Sequence, residues 1–140
     1  MIEALYNKQI RALAEAAHGA GRLIAPTGSA LRDSPVCGDR VRMDVELVEG
    51  HIAAIAHEVK GCLLCRASAS LLGLHALGRT PEEVDRLRAR VAAMLAGGEV
   101  SGTPEGADEI ALFTPVQGYR SRHGCVMIPF EALTIALDGG

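Results

Sequence analysis

The chain has 140 residues, 14 of them basic and 17 acidic, for a formal net charge of -3, and no Trp, two Tyr and two Phe. That length suits one domain, which buries roughly two-thirds of the surface its unfolded form exposes. Near-balanced charge and so few aromatics argue against a nucleic-acid partner, which needs a basic field or stacking platforms. Residues 1–140 are therefore expected to form a single domain.

The first stretch, MIEALYNKQIRALAEAAH, spaces Ile2, Leu5, Ile10, Leu13 and Ala17 at helical intervals broken by charges. It reads as an amphipathic helix ending near His18 and Gly19, not as a signal peptide or a membrane span. A cytoplasmic chain is expected, with no membrane partner. In that compartment its four cysteines stay reduced, so metal or thiol chemistry explains them better than a disulfide framework.

Gly19 to Pro35 reads as an irregular lead-in able to hold a short strand. From Val41, apolar Val41, Met43, Val45 and Leu47 alternate with Arg42, Asp44 and Glu46, the period-two signature of a half-buried strand. A turn at Glu49-Gly50 leads to a second strand over about Ile52 to Val59. Its apolar residues fall on both faces, which predicts a central position and leaves the register open. Gly61 and Cys62 break it, and LLCRASASLLGLHALG reads as a helix stopped at Gly78. Thr80, Pro81 and Glu83 then form a helix start with a capping box. Val84, Leu87, Val91, Met94 and Leu95 make one apolar stripe suited to core packing. TPEGADEIALF predicts a shorter helix. In RSRHGCVMIPFEALTIAL, Pro129 predicts a kink or a fresh start after Cys125, which would leave Cys125 in an irregular turn.

Three thiols thus fall at element boundaries: Cys37 in the loop SPVCGDRV, Cys62 between strand and helix, and Cys125 before the last helix. With Asp39 they make three sulfur donors and one oxygen donor, a set suited to tetrahedral zinc or to iron, the harder carboxylate making it labile. A helix N-terminus would activate Cys62, with Lys60, Arg66, Arg122 and His123 as sources of nearby positive charge. Spacing leaves open whether these side chains meet, the alternative being scattered buried thiols. His57 reads as a packed or surface strand residue.

The runs SPVCGD, VKGCLLCRASASLL and RSRHGC, with PFEAL beyond, resemble the iron-sulfur cluster scaffold family of IscU and the N-terminal domain of NifU, over roughly residues 34 to 137. The resemblance implies an α+β fold, a small antiparallel sheet of two to three strands packed against about four to five helices. It implies a scaffold or sulfur carrier, not an enzyme, that accepts sulfur from a cysteine desulfurase and serves apo iron-sulfur proteins. Cys37, Asp39, Cys62 and Cys125 become the ligands of an iron-sulfur cluster, of the 2Fe-2S type, or of zinc. The three cysteines are the candidate persulfide acceptors.

Two departures bear on this. Gly124 stands where the scaffold branch has a His before its final Cys, displacing His123 by one residue. FTPVQGYRS replaces that branch's chaperone-recognition motif. A longer segment between Cys62 and Cys125, and Arg122 three residues before the final Cys, are similar to the SufU branch, which implies a zinc-bound sulfur acceptor that carries no cluster. Cys65 occupies a place where the family commonly has Ser or another small residue, and makes CLLC, a C-x-x-C at a helix start. It reads either as a resolving or relay thiol or as a small buried residue, and a thiol redox module built on Cys62 and Cys65 is the alternative from a different class.

Overall fold

The computed structural model describes residues 7–34, 38–98 and 107–139. Among those residues are five α-helices and one three-stranded antiparallel sheet, the α+β arrangement expected. Helix α1 spans Lys8–Ala16 and begins at Asn7, whose side chain accepts the Ile10 amide. Ile2 and Leu5 of the proposed amphipathic pattern lie outside the described residues. The helix ends two residues before the expected stop, at Ala17, whose left-handed φ of 47° turns the chain out.

Strand β1, Gly28–Asp33, is the short strand expected in the lead-in, followed by β2, Arg40–Val48, and β3, His51–Lys60. The sheet order is β1-β2-β3, so β2 is central and β3 is an edge, correcting the expectation drawn from the two-sided apolar pattern of β3. That pattern has a different cause. A register shift between Glu46 and Leu47 pairs Val45 with Ile55 but Leu47 with Ile52. The extra residue lets Ile52 and Ile55 face the same side although they are three apart. The β3 edge is itself covered, because the chain leaving α1 runs beside it, with Gly21 donating to the His57 carbonyl and His57 donating its amide to Gly19. On β2 the alternation holds for Val41, Met43 and Val45, all fully buried. Asp44 is only 1 % exposed, against the alternation, since its carboxylate accepts the Ser29 hydroxyl at 2.6 Å and the Leu23 amide at 3.1 Å from the segment crossing that face.

Helix α2, Leu63–His75, is buried along most of its length, between α1, β3 and α5 (His123–Leu137). Its small residues allow the crowding. The Ser70 hydroxyl accepts the His18 amide, the Ser68 hydroxyl donates to the Val126 carbonyl of α5, and a Cβ on Gly73 would lie 1.8 Å from the His18 carbonyl oxygen. Helix α3, Pro81–Leu95, has the expected capping box, with Thr80 and Glu83 exchanging hydrogen bonds, and buries the expected stripe. The shorter helix α4, Ala107–Ala111, is tied to the end of α2 by Glu109 and His75 at 2.7 Å.

Helix α5 overturns the expected fresh start after Cys125. It runs through Pro129 and starts before Cys125, so Cys125 sits in its first turn instead of in an irregular one. Pro129 has no amide to offer the Cys125 carbonyl, a loss of about 3 kcal/mol in an isolated helix interior. Packing against β1, β2, α2 and α3 offsets it, and most of α5 is buried. No helix among the described residues is long and apolar enough to cross a membrane.

Gly73→Ala is expected to lower stability by about 2 kcal/mol or more, read as a fall in the urea midpoint, because backbone must move where α1 exits across α2. His57, buried with its Nε2-H donated to the His18 carbonyl at 2.7 Å, has its pKa lowered from 6.5 by burial, a fall that the hydrogen bond partly opposes. The unfolded chain therefore binds this proton more tightly, so the His57 contribution is complete above pH 6.5 and declines as pH drops below it. Urea denaturation across that range should show the decline in the parent chain and a flatter profile in His57→Gln.

Candidate metal centre

The centre forms where the β1-β2 connection meets the heads of α2 and α5. Asp33 and Arg40 close the base of that connection with a 2.6 Å ion pair, while the Ser34 amide donates to the Asp39 carbonyl and the Gly38 amide to the Ser34 carbonyl. Gly38 carries a φ of +72°, a conformation that glycine adopts without penalty. The result is a tight turn into β2 that directs Asp39 inward, where it is 3 % exposed. Cys37 lies outside the described residues.

Asp39 packs over the strand-to-helix junction. Gly61 makes room, since a Cβ there would come within 2.8 Å of the Asp39 carboxyl carbon. This role escaped the sequence reading, which took Gly61 only as a strand breaker, although a glycine directly before the N-cap cysteine was a signal of close approach. Asp39 Oδ1 accepts the Cys62 amide at 3.2 Å, and the Cys62 thiol lies 3.6 Å from Oδ2. Cys62 is the N-cap of α2, with extended backbone, and remains partly exposed. Cys125, in the first turn of α5, is fully buried.

One donor atom each from Asp39, Cys62 and Cys125 lies within 4.8 Å of the others. Three of the four proposed ligands are therefore brought together, from a loop and from two helix heads. Sulfur and carboxylate donors this close can share one tetrahedral ion, whose bonds run about 2.0–2.3 Å. The donor set thus fits zinc or iron, with the chain supplying two thiols and one hard oxygen from described residues.

The Cys62 thiol is lowered to about 7, first by a hydrogen bond from the Cys125 side chain and further by the amides of Cys65 and Leu64; burial and the Asp39 charge oppose the fall. The activating groups are thus hydrogen-bond donors rather than the cations that the sequence offered. Lys60 lines a groove of about 510 Å³ on the outer sheet face with Arg22, Arg40 and Arg42. Arg66 borders a separate depression with Ala17 and Glu58. His123 Nε2 is held by the Val116 and Gln117 carbonyls at 3.0 and 3.2 Å, and the ring stands outside the cluster of donors. Cys65, fully buried on α2, also stands outside it.

In metal-free protein, alkylation of Cys62 followed by peptide mapping should rise with pH through an inflection at about 7. Cys125→Ser should weaken the donor and move that inflection up, whereas Asp39→Asn removes an opposing negative charge and should move it down.

A family model described as "NifU-like N terminal domain" matches residues 5–126. A curated relative, the iron-sulfur cluster assembly scaffold protein IscU of Streptococcus pyogenes serotype M1, is 29% identical over 105 residues, covering 75% of this chain and 65% of that protein. The match therefore spans just under two-thirds of that relative's length. The crystal structure of a nitrogen-fixing NifU-like protein (N-terminal) from Brucella abortus is 30% identical, with a TM-score of 0.87 over 99% of this chain and 95% of that one. A candidate iron-sulfur cluster assembly scaffold protein for the SUF system from Fervidobacterium islandicum AW-1 is 22% identical, with a TM-score of 0.85 over 96% of this chain and 98% of that one, and shows the same fold. With its fold shared at that level and the family model spanning most of its length, this chain belongs to the NifU-like N-terminal domain family.

Proposed function

We propose that this chain is an iron-sulfur cluster assembly scaffold that accepts persulfide sulfur from a cysteine desulfurase and holds iron, or a cluster, as cargo for apo iron-sulfur proteins. The observation that carries the reading is the convergence of Asp39, Cys62 and Cys125 at the junction of β2, α2 and α5. Cys37, in the same loop as Asp39, completes the proposed set of four. The family match and the named role of the streptococcal relative support it.

Of the two described cysteines in the set, Cys62 is the sulfur acceptor, because it is partly exposed while Cys125 is buried. Its thiolate attacks the outer sulfur of the desulfurase persulfide. A new S–S bond forms to Cys62, the old one breaks, and the desulfurase cysteine leaves as a thiolate. A thiol with a pKa near ambient pH suits this step, combining a useful thiolate fraction with retained nucleophilicity. Asp39 holds the Cys62 amide and supplies the hard, exchangeable ligand. The chain acts as carrier and platform, and the chemistry of sulfur release belongs to its partner.

A second reading, a zinc-bound sulfur acceptor of the SufU type that carries no cluster, draws on one observation: His123 is engaged by backbone carbonyls and stands away from the donor set. Metal and acid-labile sulfide in protein purified without oxygen separate the two. Iron and sulfide in comparable amounts, with visible charge-transfer absorption, are expected for the scaffold. About one zinc with no sulfide would overturn that reading in favour of the acceptor. In the scaffold case Asp39→Ala should slow cluster transfer to an apo-ferredoxin by about tenfold. Unchanged transfer would remove Asp39 from that role.

A further inference from the structure

We infer that Cys65 is a resolving thiol that reduces sulfur delivered to Cys62, releasing it as sulfide beside the metal centre. The inference rests on the sulfur-acceptor reading above and adds to it an activity of this chain's own.

The geometry that points to it is the relation of the two cysteines at the head of α2. Cys62 is the N-cap and Cys65 stands at the third helical position. An N-cap side chain reaches back toward that position, which is how capping residues meet the amide there. The Cys65 amide is among the groups that favour the Cys62 thiolate, and no capping hydrogen bond fixes the Cys62 side chain in place. Residues three apart on a helix have Cβ atoms about 5–6 Å apart, about 1–2 Å more than a disulfide spans. Cys62 can close that gap because its own backbone is extended, with ψ of 169°, and its side chain is not bound to the helical direction.

Burial restricts what Cys65 can do. It is fully enclosed in the core, so external thiols and disulfides cannot reach it, whereas Cys62 is partly exposed. It also stands outside the group formed by Asp39, Cys62 and Cys125, so ligation by those three leaves its sulfur out of the coordination. A thiol that solvent cannot reach, one helical turn from the acceptor, is placed to react with that acceptor.

The step balances without an external oxidant. With sulfur on Cys62 as a persulfide, the Cys65 sulfur attacks the Cys62 sulfur. The Cys62–Cys65 bond forms, the bond to the outer sulfur breaks, and the Cys65 proton leaves with that sulfur as hydrogen sulfide. The outer sulfur gains two electrons and the two cysteines lose two. Sulfide is the oxidation state that a cluster requires, and it appears next to the donors that would hold iron. A dithiol reductant of the thioredoxin class, attacking the exposed Cys62 side, would restore both thiols.

The test loads the full-length chain, purified without oxygen and treated with chelator, by brief exposure to inorganic polysulfide followed by desalting. Wild type should then release about one sulfide per chain and yield a Cys62–Cys65 disulfide on peptide mapping. Cys65→Ser, with Cys65→Ala as a second variant, should keep the added sulfur on Cys62 and release sulfide at least about tenfold more slowly. Sulfur retained on Cys62 in wild type as long as in the variants would overturn the inference and leave the acceptor reading standing. A disulfide from Cys62 to Cys125 would assign the resolving role elsewhere and equally overturn it. No sulfur uptake by Cys62 in any form would overturn the acceptor reading and this inference together. The wild-type map decides the question even if neither variant folds.

Discussion

The hydrogen bond from the Cys62 amide to the Asp39 carboxylate joins the two halves of the structure that matter to the site. On one side is the turn into the central strand; on the other, the head of the most enclosed helix. Each is held independently, the turn by its own backbone bonds and the Asp33–Arg40 pair, the helix by burial between α1, β3 and α5. A buried carboxylate without partners would cost several kcal/mol. Here it is met by an amide and a thiol, and Gly61 allows the approach. Two helix heads and one loop can then present their donors at a single point.

The same closeness governs reactivity. Cys62 is activated by donated hydrogen bonds, the first from Cys125, and not by a cation. The Asp39 charge, held this near, opposes ionisation of the Cys62 thiol, since like charges at short range disfavour one another. Binding a cation relieves that conflict, which is the physical reason that such a cluster favours metal. Cys62 is at once the activated thiol, the partly exposed one and the cap of a helix whose first turn carries Cys65.

Much of the fold was legible because its signals are local. The inward row of Val41, Met43 and Val45 on β2, the Thr80–Glu83 box and the α3 stripe each depend on residues a few positions apart, and each was found as expected. The three misreadings share a cause. β3 looked central because a bulge near Leu47 puts Ile52 and Ile55 on one side. Asp44 looked exposed because the segment crossing above it is far away in sequence. Pro129 looked like a break because the neighbours that stabilise α5 around it come from other elements.

By itself, the sequence determined the donor types and the positions of two of them at element boundaries, Asp39 in a turn and Cys62 before a helix; Cys125, expected ahead of the last helix, lies inside its first turn. Those follow from local backbone preference, which glycine, proline and apolar period express directly. Tertiary structure alone decided that Asp39, Cys62 and Cys125 meet, that His123 stands apart, and that Cys65 is fully buried. Distances between donors depend on how α2 and α5 pack against the sheet. Packing is settled by side-chain volumes summed across the whole core, such as the space at Gly61 and Gly73, which no local pattern records.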